Sequence, residues 1–344
     1  MVQREVKKTN RLLNDEGELN ECGFAREMLL EYNRRHIKAN PFRIKEWDYY
    51  LIANKDFAVA LTIADNSYMG LISVSLLDFR QPWYKTTSVI KPFTFGKFKL
   101  PGTSKHGDVI YQDQRLQMEF LNNGVSRKLF CYMKDFNNGK SIECEFLLHD
   151  EPKESIVIAT PFAEDSKAFY YNQKINCIKV HGVAKYDRKE YRFNPSSSFA
   201  VLDWGRGVWT YKNTWYWGSA SGLVDNVPFG FNIGYGFGDT SAATENVLFY
   251  DGIAHKLEEV KFHIPKDGEK YDYMKPWKFT SSDNRFKMSF RPILDRQDYT
   301  SLWLISSDQH QVFGFFSGQA ILDDGTVIEV KDFFGFAERV SNKW

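Results

Sequence analysis

The chain of 344 residues lacks any apolar run near the ~18 residues that a membrane-crossing helix requires, so no integral membrane segment is expected. Its opening, MVQREVKKTNRLLNDEGELN, is charged and has no apolar stretch of the secretory kind, which points to a cytoplasmic protein. Charge of one sign is also missing. Forty-five Lys and Arg stand against 44 Asp and Glu, a formal net charge of +1, so no global field draws the chain to nucleic acid or anionic lipid. Cysteines number 4 and none forms a C-x-x-C pair, which fits reduced, buried thiols. Cys131 and Cys144 flank a predicted hairpin and can face each other across it.

Standard catalytic and cofactor motifs are absent as well. The 7 histidines are scattered without ligand spacing, so no metal is expected. GSASG (218–222) has Ala220 where a nucleophile elbow needs serine. Gly234-Tyr235-Gly236-Phe237-Gly238 has its third glycine at the wrong spacing for a dinucleotide fingerprint, and no cofactor is expected. That alternation reads instead as bare strand backbone over which aromatic neighbours pack.

What the chain does have is aromatics, 16 % of residues, with 29 Phe, 18 Tyr and 9 Trp. Aromatic side chains suit pleated, half-buried surfaces. Turn dipeptides divide alternating apolar runs at Asn123-Gly124, Asn138-Gly139, Asp251-Gly252, Asp283-Asn284 and Asp324-Gly325, the grammar of antiparallel hairpins. WDYYLIANKDFAVALTIADNSYMGLISVSLLDF reads as two or three successive strands. Only GFAREMLLEYNRRHIK (23–38) has helical spacing. The expected fold is therefore all-β, two antiparallel β-barrels or strongly curved sheets side by side, with few short helices. The polar loop Asn194-Pro195-Ser196-Ser197-Ser198 suggests the boundary. This gives an N-terminal hairpin and short helix over 1–40, a first barrel over 41–195 and a second over 196–344.

The most unusual block is DWGRGVWTYKNTWYWGSASGLVDNVPFGFNIGYGFGDTSAATEN (203–246), with Trp204, Trp209, Trp215 and Trp217 among glycines, amides and isolated charges. A carboxyl beside aromatic walls can keep its proton near neutrality and act as a general acid. Asp203, Asp239 and Glu245 are the candidate donors. Asp203 pairing with Arg206 across a turn, and Asp239 capping a loop with Thr240, are their structural alternatives. Arg206, Asn232, Tyr235 and Asn246 join the tryptophans as candidate ligand contacts. Tyr171 and Asn172, in the polar-aromatic run YYNQK, are placed at the junction with the second half, where pockets commonly form. The alternative for that run is a strand edge with a solvated Lys174; Glu338 and Arg339 read as an ion pair, and the terminal Trp344 as tied down by packing.

DWGRGVWTYKNTWYWGSASG, FNIGYGFGDTSAATENVLFYDG, YYNQKINC and the terminal GFAERVSNKW resemble the blocks of a bacterial family, domain of unknown function 2804, from about Leu12 to Trp344. The resemblance implies two lipocalin-like β-barrel domains, distantly similar to hydroxyneurosporene synthase, tocopherol cyclase and fungal pericyclase-type enzymes. That wider group handles apolar, polyene or terpenoid substrates near the domain interface, but no catalytic residues carry over. The expected function is binding of a hydrophobic or polyunsaturated small molecule in an aromatic pocket near the domain interface. Two versions remain open: a cofactor-independent, acid-catalysed isomerase, hydratase or cyclase, and a non-catalytic carrier or sensor. A structural protein with a collapsed aromatic core is the third reading. Nothing in the sequence signals an oligomeric state.

Overall fold

Alternation and turn chemistry build two large antiparallel sheets, seen in a computed structural model that describes residues 3–302 and 305–343; Trp344 lies outside the described residues. The first sheet has 13 strands among the described residues and the second has 9. Each curls round its own apolar core. A third apolar layer, including Leu51, Val201, Phe79, Phe313 and Phe336, lies between the sheets. Among the described residues no helix is long and apolar enough to cross a membrane.

All five predicted turns connect paired strands. Asn138 and Gly139, for example, have φ of 50° and 78°, the left-handed pair of a primed turn, between Arg127–Asn137 and Lys140–His149. Cys131 and Cys144 are register partners across that hairpin, both buried and both free thiols.

Residues 23–38 are mostly extended, not helical. Gly23–Ala25 pairs with Ile156–Phe162, and only Arg34–His36 makes a 3-10 turn. Beyond the buried Gly23–Ala25 strand, Met28, Leu30 and Tyr32 are buried with a period of two. A Cβ on Gly23 would lie 2.5 Å from the Arg4 carbonyl oxygen, so this backbone is pressed against the N-terminal segment. Tertiary pairing has overridden helical propensity.

The chain passes between sheets at 209–211. The strand Phe199–Val208 (the Asp203 strand) belongs to the first sheet, wedged between Ile44–Ala53 (the Tyr49 strand) and Asp165–Tyr186 (the Lys174 strand). The loop Asn194–Ser198 is thus an internal connection of the first sheet. The second sheet begins with Lys212–Val224 (the Trp217 strand). This pairs with Val227–Tyr235 (the Asn232 strand) on one side and Val327–Lys343 (the Glu338 strand) on the other. Next in order come Ile305–Ile321 (the Gln311 strand) and Phe286–Leu302 (the Arg296 strand). The tryptophan-rich block therefore crosses from one sheet to the other, and this crossing creates the site.

Candidate functional site between the sheets

Side chains alternate across a strand, so neighbours in sequence face opposite sides of a sheet. In the first sheet Lys174 stands opposite Asp203, and Asp203 opposite Tyr49. With Tyr170 and Asn172 they present a polar row toward the second sheet. In the second sheet Trp217, Glu338, Gln311 and Arg296 are successive ladder partners and present an answering row.

Where the rows meet, carboxylates outnumber lysines. Lys174 Nζ lies 2.8 Å from Asp203 Oδ1 and 3.9 Å from Glu245 Oε2. The same ammonium sits 3.9 Å from the centre of the Trp217 ring, a cation–π contact. Asn172 Nδ2 donates to Asp203 Oδ1 at 2.7 Å. Trp217 Nε1 donates to Asn232 Oδ1 at 2.6 Å, and Asn232 Nδ2 donates to Glu245 Oε2 at 3.1 Å. Glu338 accepts from Trp215 Nε1 and Gln311 Nε2, each at 3.0 Å. Asp203, Glu245, Glu338 and Lys174 are all buried.

Burial sets the proton affinities. Desolvation pushes Glu338 up to about 7, against hydrogen bonds from Trp215 and Gln311 and the positive charge of Arg296. Glu245 is raised by the same cause, with Lys174 pulling it back and Asp203 adding to the rise. The Tyr170 phenol is raised well above its usual range, first by burial and then by Glu245, Asp203 and Glu338 together. One phenol thus feels all three acids. Asn172 Oδ1, Gln311 Oε1 and Trp209 Nε1 are buried without a protein partner, polar valences turned toward this region.

Aromatic rings wall the site. Phe237 is the hub, with ring centres 4.6 Å from Trp209, 5.4 Å from Trp215 and 4.6 Å from Tyr170. Trp47 stacks on Tyr170 and meets Trp209 edge-on. The glycine alternation here works differently from a plain strand. The strand ends at Tyr235, and Gly236 and Gly238, with φ of 90° and 71°, turn the chain so that Phe237 enters the cluster. Gly234 makes room for a carboxylate and not for a ring: a Cβ there would lie 2.4 Å from Glu245 Oε1.

A groove of about 420 Å³ opens on the same inter-sheet face. Its inner lining includes Leu51, Val201, Ser219 and Phe336. Each is two residues, one step of the same strand face, from Tyr49, Asp203, Trp217 or Glu338 respectively. The groove therefore points along the strands toward the acids, with the Val201–Phe336 layer between.

The sequence-selected residues divide by strand face. Asp203, Glu245, Asn172, Asn232, Trp209, Trp215 and Trp217 converge at the junction. Trp204, Tyr171 and Arg206 point the other way, into the first sheet's core, where Arg206 pairs with Asp48 at 3.0 Å and lies 4.2 Å over Trp204. Arg206 is thus not the partner of Asp203. Tyr171 donates to the Leu30 carbonyl at 2.7 Å. Asp239 is exposed and accepts from the Ser241 amide at 2.9 Å, apart from the other acids. Asn246 is buried as a structural brace, accepting from Gly234 N and donating to the Glu258 carbonyl. Tyr235 stacks on Tyr216 on the far face of the second sheet.

Sequence reading missed Lys174, which is buried and not solvated, and Glu338, which does not pair with Arg339 because adjacent strand residues face opposite ways. It also missed Tyr170, Gln311, Tyr49 and Arg296. The phase of alternation could have grouped Asp203 apart from Trp204 and Arg206. No local signal brings positions 174, 203, 245 and 338 together. No cluster of three or more His, Cys, Asp or Glu suited to a metal occurs among the described residues.

Two curled antiparallel sheets with a buried, carboxylate-rich, aromatic-walled junction define the class of protein. The chain belongs to the family described as Domain of unknown function (DUF2804), whose model matches residues 3–344. Among solved structures, the fold is similar to that of a Nitrosomonas europaea protein provisionally designated AttH. The TM-score is 0.50 and the identity 13 %, over 90 % of this chain and 96 % of that one. Kievitone hydratase from Nectria haematococca aligns with a TM-score of 0.48 at 10 % identity, over 87 % and 88 % of the two chains. CghA aligns at 0.49 and 10 %, over 98 % and 97 %. No curated protein sequence matches the chain at a significant level.

Proposed function

We propose that the inter-sheet junction binds an apolar, unsaturated small molecule and catalyses its proton-driven isomerisation, hydration or cyclisation without a bound cofactor. The observation that carries this reading is the convergence of Glu338, Asp203 and Glu245 on Trp215, Trp217 and Tyr170 in one buried site. Lys174 pairs with Asp203 and lies 3.9 Å from Glu245, while Glu338 has no ion pair within 4 Å among the described residues. Glu338 transfers its proton to an alkene carbon, and the π electrons form the new C–H bond. The cation left on the neighbouring carbon is stabilised by the tryptophan and tyrosine faces. Loss of a proton to Asp203 or Glu245 completes an isomerisation or cyclisation; capture of water, whose proton goes to the same carboxylates, completes a hydration. The groove, with apolar Leu51, Val201, Phe199 and Phe334 inside and Lys55, Asp56 and Arg192 toward the rim, suits a long apolar molecule entering end-on.

The test is deuterium incorporation from heavy water into farnesol, and into any apolar molecule extracted from gently purified protein. Wild type is expected to exchange label into a C–H position and Glu338→Gln to bind without exchanging. Equal exchange by both proteins removes Glu338 as the acid. Binding with no exchange by either leaves a carrier and removes the catalytic reading.

A further inference from the structure

The strands that build the junction carry a second cluster on their other face. Tyr216 and Arg339, the sequence neighbours of Trp217 and Glu338, are register partners facing the interior of the second sheet. Tyr235 stacks on Tyr216 with ring centres 4.4 Å apart and planes at 13°. The short hairpin of Lys266–Asp267 and Lys270–Tyr271 closes over them and places the Tyr271 hydroxyl 3.5 Å from that of Tyr216. Between the hairpin and the sheet lies a pocket of about 450 Å³ whose lining includes Tyr216, Phe262, Lys266, Tyr271 and Lys278.

Cations are in surplus around it. The Tyr271 ring centre is 4.9 Å from Lys266 Nζ and 4.8 Å from the Arg339 guanidinium carbon. Neither Lys266 nor Lys278 has an ion-pair partner among the described residues. Arg339 is engaged elsewhere, its Nη1 donating to the Tyr273 hydroxyl at 3.4 Å and lying 3.8 Å from Asp308. Of the acids on and beside the hairpin, Asp272 is held by Lys275 at 3.2 Å, and Asp267 and Glu269 are exposed at the turn. Two phenol hydroxyls add donors. Flat aromatic walls with unmatched cations and O–H donors at their edge recognise a ring bearing a planar anion.

We infer that this pocket at the mouth of the second sheet is a binding site for a planar aromatic carboxylate, stacked against the Tyr216–Tyr271 walls with its carboxylate held by Lys266 and Lys278. It is separate from the junction, since the strands shared by the two sites present alternate residues to each.

Calorimetric titration with 2-naphthoate and with its neutral analogue 2-naphthalenemethanol tests this. The acid is expected to bind at least about tenfold more tightly than the alcohol. The exposed pair Lys266→Gln with Lys278→Gln, which leaves the core untouched, is expected to weaken naphthoate about tenfold or more. Glu338→Gln is expected to leave that affinity unchanged. The inference is overturned by absence of binding, by equal affinity for acid and alcohol, or by indifference to the lysine pair. Weakening by Glu338→Gln in place of the lysine pair assigns the anion to the junction and also overturns it. Each result is independent of whether the junction exchanges deuterium.

Discussion

Three residues apart on one strand, Asp203 and Arg206 enter two buried charge clusters of opposite character. Arg206 is wholly buried and its donors are saturated: Nε and Nη2 reach the Pro101 carbonyl, Nη1 reaches the Trp47 and Gly205 carbonyls, and Nη2 meets Asp48 at 3.0 Å. One cation answers one carboxylate. On the other face Lys174 serves both Asp203 and Glu245, and Glu338 stands close by with only neutral hydrogen-bond donors. A one-to-one pair whose cation has all its donors engaged by backbone carbonyls and one carboxylate is held rigidly and so serves architecture. Buried carboxylates without a close ion pair hold their protons more tightly than free ones, and a proton so held is available for transfer.

Breaking each cluster should therefore give different phenotypes. The largest effect is expected at the matched pair. Arg206→Met leaves the buried Asp48 carboxyl without its ion-pair partner, and should cost about 3–5 kcal/mol of stability in urea denaturation at neutral pH. A loss under 1 kcal/mol would erase the distinction drawn here.

Next comes Glu338→Gln, whose effect depends on pH. The folded-state value near 7 lies above the ordinary 4.5, so the folded protein holds this proton more tightly than the unfolded chain. Glu338 thus contributes stability that is fully present below about 4.5 and is lost as pH rises through about 7. The change across that window is on the order of 3 kcal/mol. The glutamine variant, neutral throughout, should flatten this slope and exceed wild type in stability above pH 7. Denaturation midpoints at pH 5 and pH 8 measure it.

The smallest effect belongs to Asp239→Asn. This exposed residue touches neither cluster, and the substitution should change stability by less than about 0.5 kcal/mol and leave deuterium exchange intact. Loss of exchange in this variant would return Asp239 to the candidate acids.

Much of the fold was legible because its determinants are local. Asn138-Gly139 or Asp251-Gly252 specify a hairpin within four residues, and alternation in the flanking runs sets which face is buried. Residues 23–38 misled because their composition favours helix, while pairing with Ile156–Phe162, more than a hundred residues away, decided the outcome. The tryptophan block was legible as an aromatic cluster, but its sidedness was not drawn out. Strand phase separates Asp203 from Trp204 and Arg206, and Glu338 from Arg339. The pairing of Lys174 with Asp203 depends on strand order, and the approach of Glu338 depends on two sheets meeting face to face. Neither leaves a trace in local sequence.

The central claim is that one carboxyl at the junction keeps its proton at neutral pH, and carbon-detected NMR titration of protein labelled at glutamate side-chain carboxyls addresses it directly. One resonance titrating near pH 7, present in wild type and missing in Glu338→Gln, is the expected result. If every glutamate carboxyl titrates below about pH 5, Glu338 is ionised at neutrality and the junction holds no acid to donate.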